Sequence, residues 1–220
     1  MNKRILFIIK NLYTMERLGV MQIAAQARRK GWETDLAVSD GTSYEGLLRR
    51  VRDWAPDILA FSVMSPEFPR LENLAERLHR DTGCFILMGG AHPTFFQDII
   101  EQPFIHAVAF GEADLSFPEF LERFAAGGDY AATAGMHFRL DGRIVRNPPA
   151  PLLEDLDAVP FPDRELMVRA NPLLGHNRSH IFMAGRGCPN ACTYCFNHQY
   201  NRMFRGHGKL FRRRSVGNLL

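Results

Sequence analysis

Over residues 1–127, short apolar runs alternate with amphipathic stretches. The apolar runs are Arg4–Lys10, Thr34–Ser39, Asp57–Met64, Cys84–Gly89 and Ala107–Phe110. Each has the length of a strand buried on both faces, which reads as a continuous hydrophobic segment. Between them, Arg17–Lys30, Tyr44–Trp54, Phe68–Asp81, Thr94–Glu101 and Leu115–Ala126 have the character of helices. In the first of these, Leu18, Met21, Ala24 or Ala25 and Arg28 recur at helical spacing, and Gly31 fits a C-terminal cap. Strands alternating with helices predict an α/β domain: a parallel sheet with helices on both faces and right-handed crossovers. Ligands of such sheets bind beyond the carboxyl ends of the strands.

The pattern changes after residue 133. Gly135–Leu140 and Arg143–Arg146 flank Asp141-Gly142, a strong hairpin signal. Asn147-Pro148-Pro149-Ala150-Pro151 then opens a linker, because proline neither continues a ladder nor readily starts a helix. Leu152–Pro162 reads as extended with one short turn. A second unit is expected to begin near Arg178. Three regions follow: 1–133, a hairpin and Pro-rich linker over 134–177, and 178–220.

Composition refines this picture. The 220 residues are 46% hydrophobic, enough for a sizeable core. No run of 18 or more uncharged apolar residues indicates a membrane span. The basic start is followed by too short an apolar stretch for a signal peptide, so a cytoplasmic location is expected. Residues 1–165 hold 18 Lys/Arg and 24 Asp/Glu, a net of −6; residues 166–220 hold nine Lys/Arg and no acid, a net of +9. Arg202, Arg205, Lys209 and Arg212 to Arg214 are interleaved with Phe204 and Phe211, a pattern open to RNA. The alternatives are a surround for a cluster and an anionic cofactor, or a surface that meets acidic groups outside this chain, and no nucleic-acid partner is expected.

Cys188, Cys192 and Cys195 are spaced C-x3-C-x2-C with no fourth cysteine nearby. Clustered cysteines point to metal binding in a reducing compartment. Three thiolates can hold three corners of a [4Fe-4S] cluster and leave one iron open. A Cys3His zinc knuckle completed by His198 is the alternative. Cys84, in an apolar run, reads as a core thiol.

The cysteine run Gly187-Cys188-Pro189-Asn190-Ala191-Cys192-Thr193-Tyr194-Cys195 resembles the radical S-adenosylmethionine (SAM) signature C-x3-C-x-aromatic-C, with Tyr194 in the aromatic slot. The resemblance implies that the open iron binds SAM, that an electron from the cluster cleaves it to a 5′-deoxyadenosyl radical, and that Tyr194 lies near the SAM adenine. Ser179–Ala184 then reads as the first strand of a barrel. About 40 residues follow Arg178, where a full (β/α)8 barrel takes about 250. The chain is therefore expected to hold only the opening of that barrel, ending in a helix capped by Ser215, and to lack the SAM-binding residues of later strands.

Upstream, Gly89-Gly90-Ala91-His92-Pro93-Thr94 and Gly111-Glu112-Ala113-Asp114 resemble the G-G-x-H-P-T and G-E-x-D segments of cobalamin-dependent radical SAM proteins. By this resemblance the sheet is a Rossmann-like cobalamin-binding domain. Its cofactor-binding candidates are Tyr13, Ser62, Val63, Met64, Gly89, Gly90, His92, Pro93, Gly111 and Glu112, with Tyr194 for SAM; no catalytic residue is assigned. Many cobalamin domains carry D-x-H-x-x-G after the first strand; here that loop runs Asn11–Gly19 without histidine. Cobalamin would then bind with no histidine on cobalt, and His92 reads as a turn residue. The expected function is the N-terminal part of an enzyme using a [4Fe-4S] cluster, SAM and cobalamin for methyl transfer or a radical rearrangement or cyclisation. A small-molecule substrate and an electron donor such as flavodoxin or ferredoxin are its expected partners. The alternatives are a non-enzymatic cobalamin-binding module with a vestigial cluster loop, and an RNA methylthiotransferase.

Overall fold

A computed structural model describes residues 1–12 and 16–220. The first five strands are β1 (Arg4–Ile9), β2 (Glu33–Val38), β3 (Ile58–Ser62), β4 (Phe85–Gly89) and β5 (Ala107–Ala109). They pair in parallel in the order β2-β1-β3-β4-β5. β6 (Met136–Leu140) adds antiparallel to β5, and β7 (Arg143–Arg146) adds antiparallel to β6. The turn at Asp141-Gly142 therefore forms, and its hairpin completes a seven-stranded sheet among the described residues.

Both faces are covered, as the uninterrupted apolar runs require. Ile5, Phe7 and Ile9 of β1 point to one side and pack with α1 (Leu18–Arg29) and α5 (Ser116–Ala125). Leu6 and Ile8 point to the other and pack with α2 (Tyr44–Trp54) and α3 (Phe68–Thr82). Phe85, Phe120, Phe124, Tyr130 and Phe138 form a network of tilted and edge-to-face rings at the β5–β6 end of the first core. Such rings add to the apolar area they bury. Helix ends follow their sequence signals: Ser43 Oγ accepts the Gly46 N–H at 3.1 Å to start α2, and Gly83 takes the left-handed turn that ends α3.

Three elements differ from the pattern reading. The expected helix Thr94–Glu101 is a short α4 (Ala91–Phe95) followed by a 3₁₀ turn at Gln97–Glu101. Phe96 leaves helical backbone between them, with its ring stacked on His92. The helix starts early because the Gly90 turn is locked onto Val63 through the His92 N–H at 3.0 Å. The second difference lies in the expected linker, where α6 (Arg164–Ala170) is capped by Asp163 and drives Leu166 and Met167 into the core beside β2.

The third is Ser179–Ala184, which forms no strand. The Ile181 N–H goes to the Glu16 carboxylate and the Ile181 carbonyl to Arg164, so these backbone groups are used outside a ladder; only Ala184, whose carbonyl accepts from the Arg214 N–H, continues the register of the short ladder that follows. Pairing is confined to β8 (Gly185–Arg186) and β9 (Arg212–Arg213), antiparallel to each other. Between them lies α7 (Asn197–Met203). The chain ends in α8 (Val216–Leu219), where Ser215 Oγ accepts the Asn218 N–H, as the cap reading expects. Among the described residues no helix is long and apolar enough to cross a membrane.

Candidate functional site: the carboxyl edge of the sheet

A cavity of about 1030 Å³ opens over the carboxyl ends of β1, β3, β4 and β5. It exceeds the few hundred Å³ that a small metabolite needs. Its floor carries short side chains or none: Ala60, Ser62, Gly89, Gly90 and Ala109. Phe7, Leu87 and Phe117 make it apolar towards the first core. The facing wall comes from the C-terminal segment, through Arg186, Gly187, Asn197, Tyr200 and Asn201.

Gly90 is indispensable to this floor. Its φ is +102°, and a Cβ there would come within 2.9 Å of the Val63 carbonyl oxygen. The β3 and β4 ends are thereby locked together: the Val63 N–H donates to Gly89 O at 2.8 Å, and the His92 N–H donates to Val63 O at 3.0 Å.

The sequence candidates fall into separate groups. Ser62, Gly89, Gly90, Gly111 and Glu112 line the cavity. Val63, His92 and Pro93 are buried and absent from its lining. His92 is held with Nδ1 at 3.1 Å from Ser65 Oγ and its ring stacked on Phe68 and Phe96. Its Nε2 is buried with no hydrogen-bond partner among the described residues, and burial lowers its pKa from the usual histidine value. His92 is thus held by its own turn and by packing between two rings. Met64 is exposed, with its sulfur 3.5 Å from Arg17 Nη1. Tyr13 lies outside the described residues.

Cys188, Cys192 and Cys195 are free and half-buried. Tyr194 beside them is 91% exposed, and neither it nor the cysteines line the cavity. Phe196 packs edge-to-face on Phe95 of α4 at 5.6 Å, so the cysteine loop touches the sheet domain. Three thiols suit iron or zinc as a donor set. Among the described residues, however, no three His, Cys, Asp or Glu side chains are gathered closely enough to hold a metal ion. The cavity, by contrast, has the volume and the apolar lining of a ligand site.

Residues outside the cofactor-binding candidates border the same space. Asp114, Arg186 and Tyr200 line the cavity. Arg186 bonds Asp114 and lies 3.3 Å from Glu112. Burial alone would lower its pKa, but these two carboxylates outweigh burial and raise it. Burial, with Glu112 nearby, raises the Tyr200 hydroxyl well above the ordinary tyrosine range. Across the cavity, Arg164 also lines the wall and bonds Glu16, which accepts from the Ile181 N–H at 3.1 Å. Burial would raise Glu16, yet Arg164, Ile181 and His180 together hold it below the usual carboxylate range.

Known proteins agree with this geometry. The B12 binding domain family model matches residues 5–121. An uncharacterised methyltransferase of Pyrococcus horikoshii is 26% identical over 200 residues, covering 86% of this chain and 42% of that protein. The hopanoid C-3 methylase of Methylococcus capsulatus is 28% identical over 197 residues, covering 86% and 37%. An anaerobic magnesium-protoporphyrin IX monomethyl ester cyclase of Synechocystis is 29% identical over 124 residues, covering 56% and 24%. The chain thus spans less than half the length of each of these relatives. Among solved structures, the cobalamin-dependent SAM radical enzyme OxsB with aqua-cobalamin bound superposes with a TM-score of 0.75 at 16% identity, over 98% of this chain and 30% of that one. The radical SAM methyltransferase TsrM of Kitasatospora setae, with cobalamin and a [4Fe-4S] cluster bound, gives 0.74 at 15% identity, over 99% and 44%. Those two likenesses establish a shared fold that continues past the sheet into the cysteine segment. With more than half of its residues matched by that family model, the chain belongs to the B12-binding domain family.

Proposed function

We propose that this chain is the cobalamin-binding and cluster-loop portion of a radical SAM enzyme that transfers a methyl group or carries out a radical rearrangement or cyclisation. One observation carries the reading: the cavity over the sheet is walled on its far side by the segment that bears Cys188, Cys192 and Cys195. Cobalamin would lie on the floor of Ser62, Gly89 and Gly90. No histidine lines the cavity among the described residues, so cobalt would receive no imidazole from the protein. The three cysteines would ligate iron, and Tyr194 would be available to SAM on the loop surface. When bound, a corrinoid supplies a carrier for a methyl group, and a site-open iron–sulfur cluster supplies one electron. The residues of this chain exclude water from the floor through Phe7, Leu87 and Phe117 and present backbone where side chains would block approach. An electron donor such as flavodoxin or ferredoxin and a small-molecule substrate complete the proposal, with the cytoplasm as its setting. Relatives named as methyltransferase, methylase and cyclase support the reaction classes.

A second reading, a cobalamin-binding module without a cluster, is favoured by one observation: no metal-competent side-chain group exists among the described residues. Anaerobic reconstitution with iron and sulfide separates the two. The enzyme reading predicts brown protein with about four irons per chain. Cobalamin bound with no iron uptake supports the module, and stoichiometric zinc in place of iron supports a zinc knuckle.

A further inference from the structure

We propose that Gly111-Glu112-Ala113-Asp114, the loop after β5, is a seat that positions the cysteine loop over the cofactor floor, with Glu112 and Asp114 as its positioning residues. The sequence reading placed Gly111 and Glu112 of this segment among the cofactor contacts. Its geometry assigns it a second task, which rests on the cobalamin and cluster reading above only for its consequence.

The seat holds the C-terminal segment at three points. At Gly111, φ is +75° and a Cβ would run into the ring of Phe204, so the absence of a side chain there admits an aromatic anchor. Phe204 is 1% exposed and stacks on Tyr200 at 4.5 Å. At Glu112, both carboxylate oxygens take the Arg212 guanidinium, at 2.6 and 2.8 Å. Arg212 is itself buried and also donates to Leu153 O at 2.8 Å. Asp114 takes Arg186 through both guanidinium nitrogens, and its own carbonyl accepts from Gln26 of α1 at 3.0 Å. The loop after β5 is thus itself tied to the sheet domain.

Arg186 and Arg212 are direct partners across β8–β9. They close the base of the 187–211 loop, which contains all three cysteines. Two carboxylates two residues apart therefore grip both sides of that base. The β8–β9 ladder has only two residues on each strand, too few to define an orientation by backbone pairing alone. Bidentate carboxylate–guanidinium pairs do define one, because the fork geometry fixes direction as well as distance. The height of the cysteines over Gly89 and Gly90 is then set by the β5 loop. The net charges of −6 and +9 find part of their purpose here: the basic end meets acidic groups of its own chain.

The test is amide hydrogen exchange on the full chain without iron or cobalamin, comparing it with the E112Q/D114N variant. Exchange at 185–187 and 211–214 should accelerate at least tenfold, with β1–β4 unchanged, since opening is local when a clamp rather than the core is lost. Phe204→Ala should accelerate the same segments and α7. Unchanged exchange at β8–β9 in the double variant overturns the proposal. Equal acceleration in β1–β4 overturns it as well, because the carboxylates would then support the sheet. The reconstituted protein reports position directly: Phe204→Ala, whose ring does not line the cavity, should keep the bound-cobalamin spectrum and lose the defined magnetic coupling between cob(II)alamin and the reduced cluster expected in the unaltered chain. Retained coupling in the variant overturns the positioning role. Failure of any cluster to assemble in the unaltered chain would sink the proposed function while leaving the exchange result to decide the seat.

Discussion

Residues 1–174 and 178–220 are held together by different physics. The first stretch buries its apolar side chains in two cores on either side of one sheet. In the second, Phe204 is the single buried apolar side chain among the described residues, while Phe182, Met183, Tyr194, Phe196, Phe211 and Val216 are exposed. Its order comes from arginines on carboxylates, from backbone groups bonded to side chains such as Ile181 to Glu16 and Ser215 to Asp157, and from one ring in one notch. Hydrophobic burial scales with area and tolerates small shifts, whereas a charged pair holds only in one geometry. The sheet region is therefore built as a rigid floor, and the cysteine region as a part aligned upon it.

The contrast can be broken first in the core. Phe120 is fully buried in the ring network, so Phe120→Ala should cost about 3–5 kcal/mol. Chemical denaturation should show this as a lower midpoint with an unchanged slope; a loss under ~1 kcal/mol would mean that the core is not the main support. At the other end of the chain, Cys188→Ala, Cys192→Ala and Cys195→Ala should each reduce iron from about four per chain to near zero. The denaturation midpoint of the apoprotein should not move. Cys84→Ala should retain the iron, since Cys84 sits at the opposite end of the sheet with its thiol 3.7 Å from Pro56 O.

Acid sharpens the same contrast. His106 is half-buried at the amino end of β5, and desolvation, with His79 beside it, lowers its pKa from 6.5 to about 4. The folded state therefore holds this ring neutral while the unfolded state protonates it. Its contribution is intact above pH 6.5 and is lost as pH falls towards 4. Urea midpoints across that window should fall for the unaltered chain and fall less for His106→Asn; parallel curves would show that His106 is not responsible. A smaller effect is expected at the α2 cap, where Ser43→Ala should cost about 1 kcal/mol by thermal melting. The smallest is at Phe211, half-exposed in the cysteine region, where Phe211→Ala should stay within about 0.5 kcal/mol.

How far each region was legible from residues alone follows the same division. β1 and β3 are visible because strands buried on both faces must be apolar throughout, and Ile5–Ile9 and Ile58–Phe61 are. The floor glycines were legible because Gly-Gly after a strand has a local signature. α6 was missed: seven residues behind a Pro-rich stretch, with Leu166 and Met167 alone turned inward, give no helical period. Thr94–Glu101 was placed too late because the Gly90 turn that starts the helix is a tertiary lock onto Val63. The expected strand Ser179–Ala184 has β-like residues, but Ile181 bonds the Glu16 and Arg164 side chains and only Ala184 meets a strand neighbour. Hardest of all were the pairs Glu112–Arg212 and Asp114–Arg186. Their members stand 100 and 72 positions apart, and a charge that finds a partner at such range looks, in sequence, like any solvated charge.

The most direct measurement is a titration of hydroxocobalamin into the full chain, followed by electron paramagnetic resonance of the cob(II)alamin state. The account predicts a bound-form visible spectrum and a signal without nitrogen superhyperfine splitting, because His92 is held in its aromatic stack behind the floor. Absence of binding, or a nitrogen splitting that disappears in His92→Ala, would contradict it.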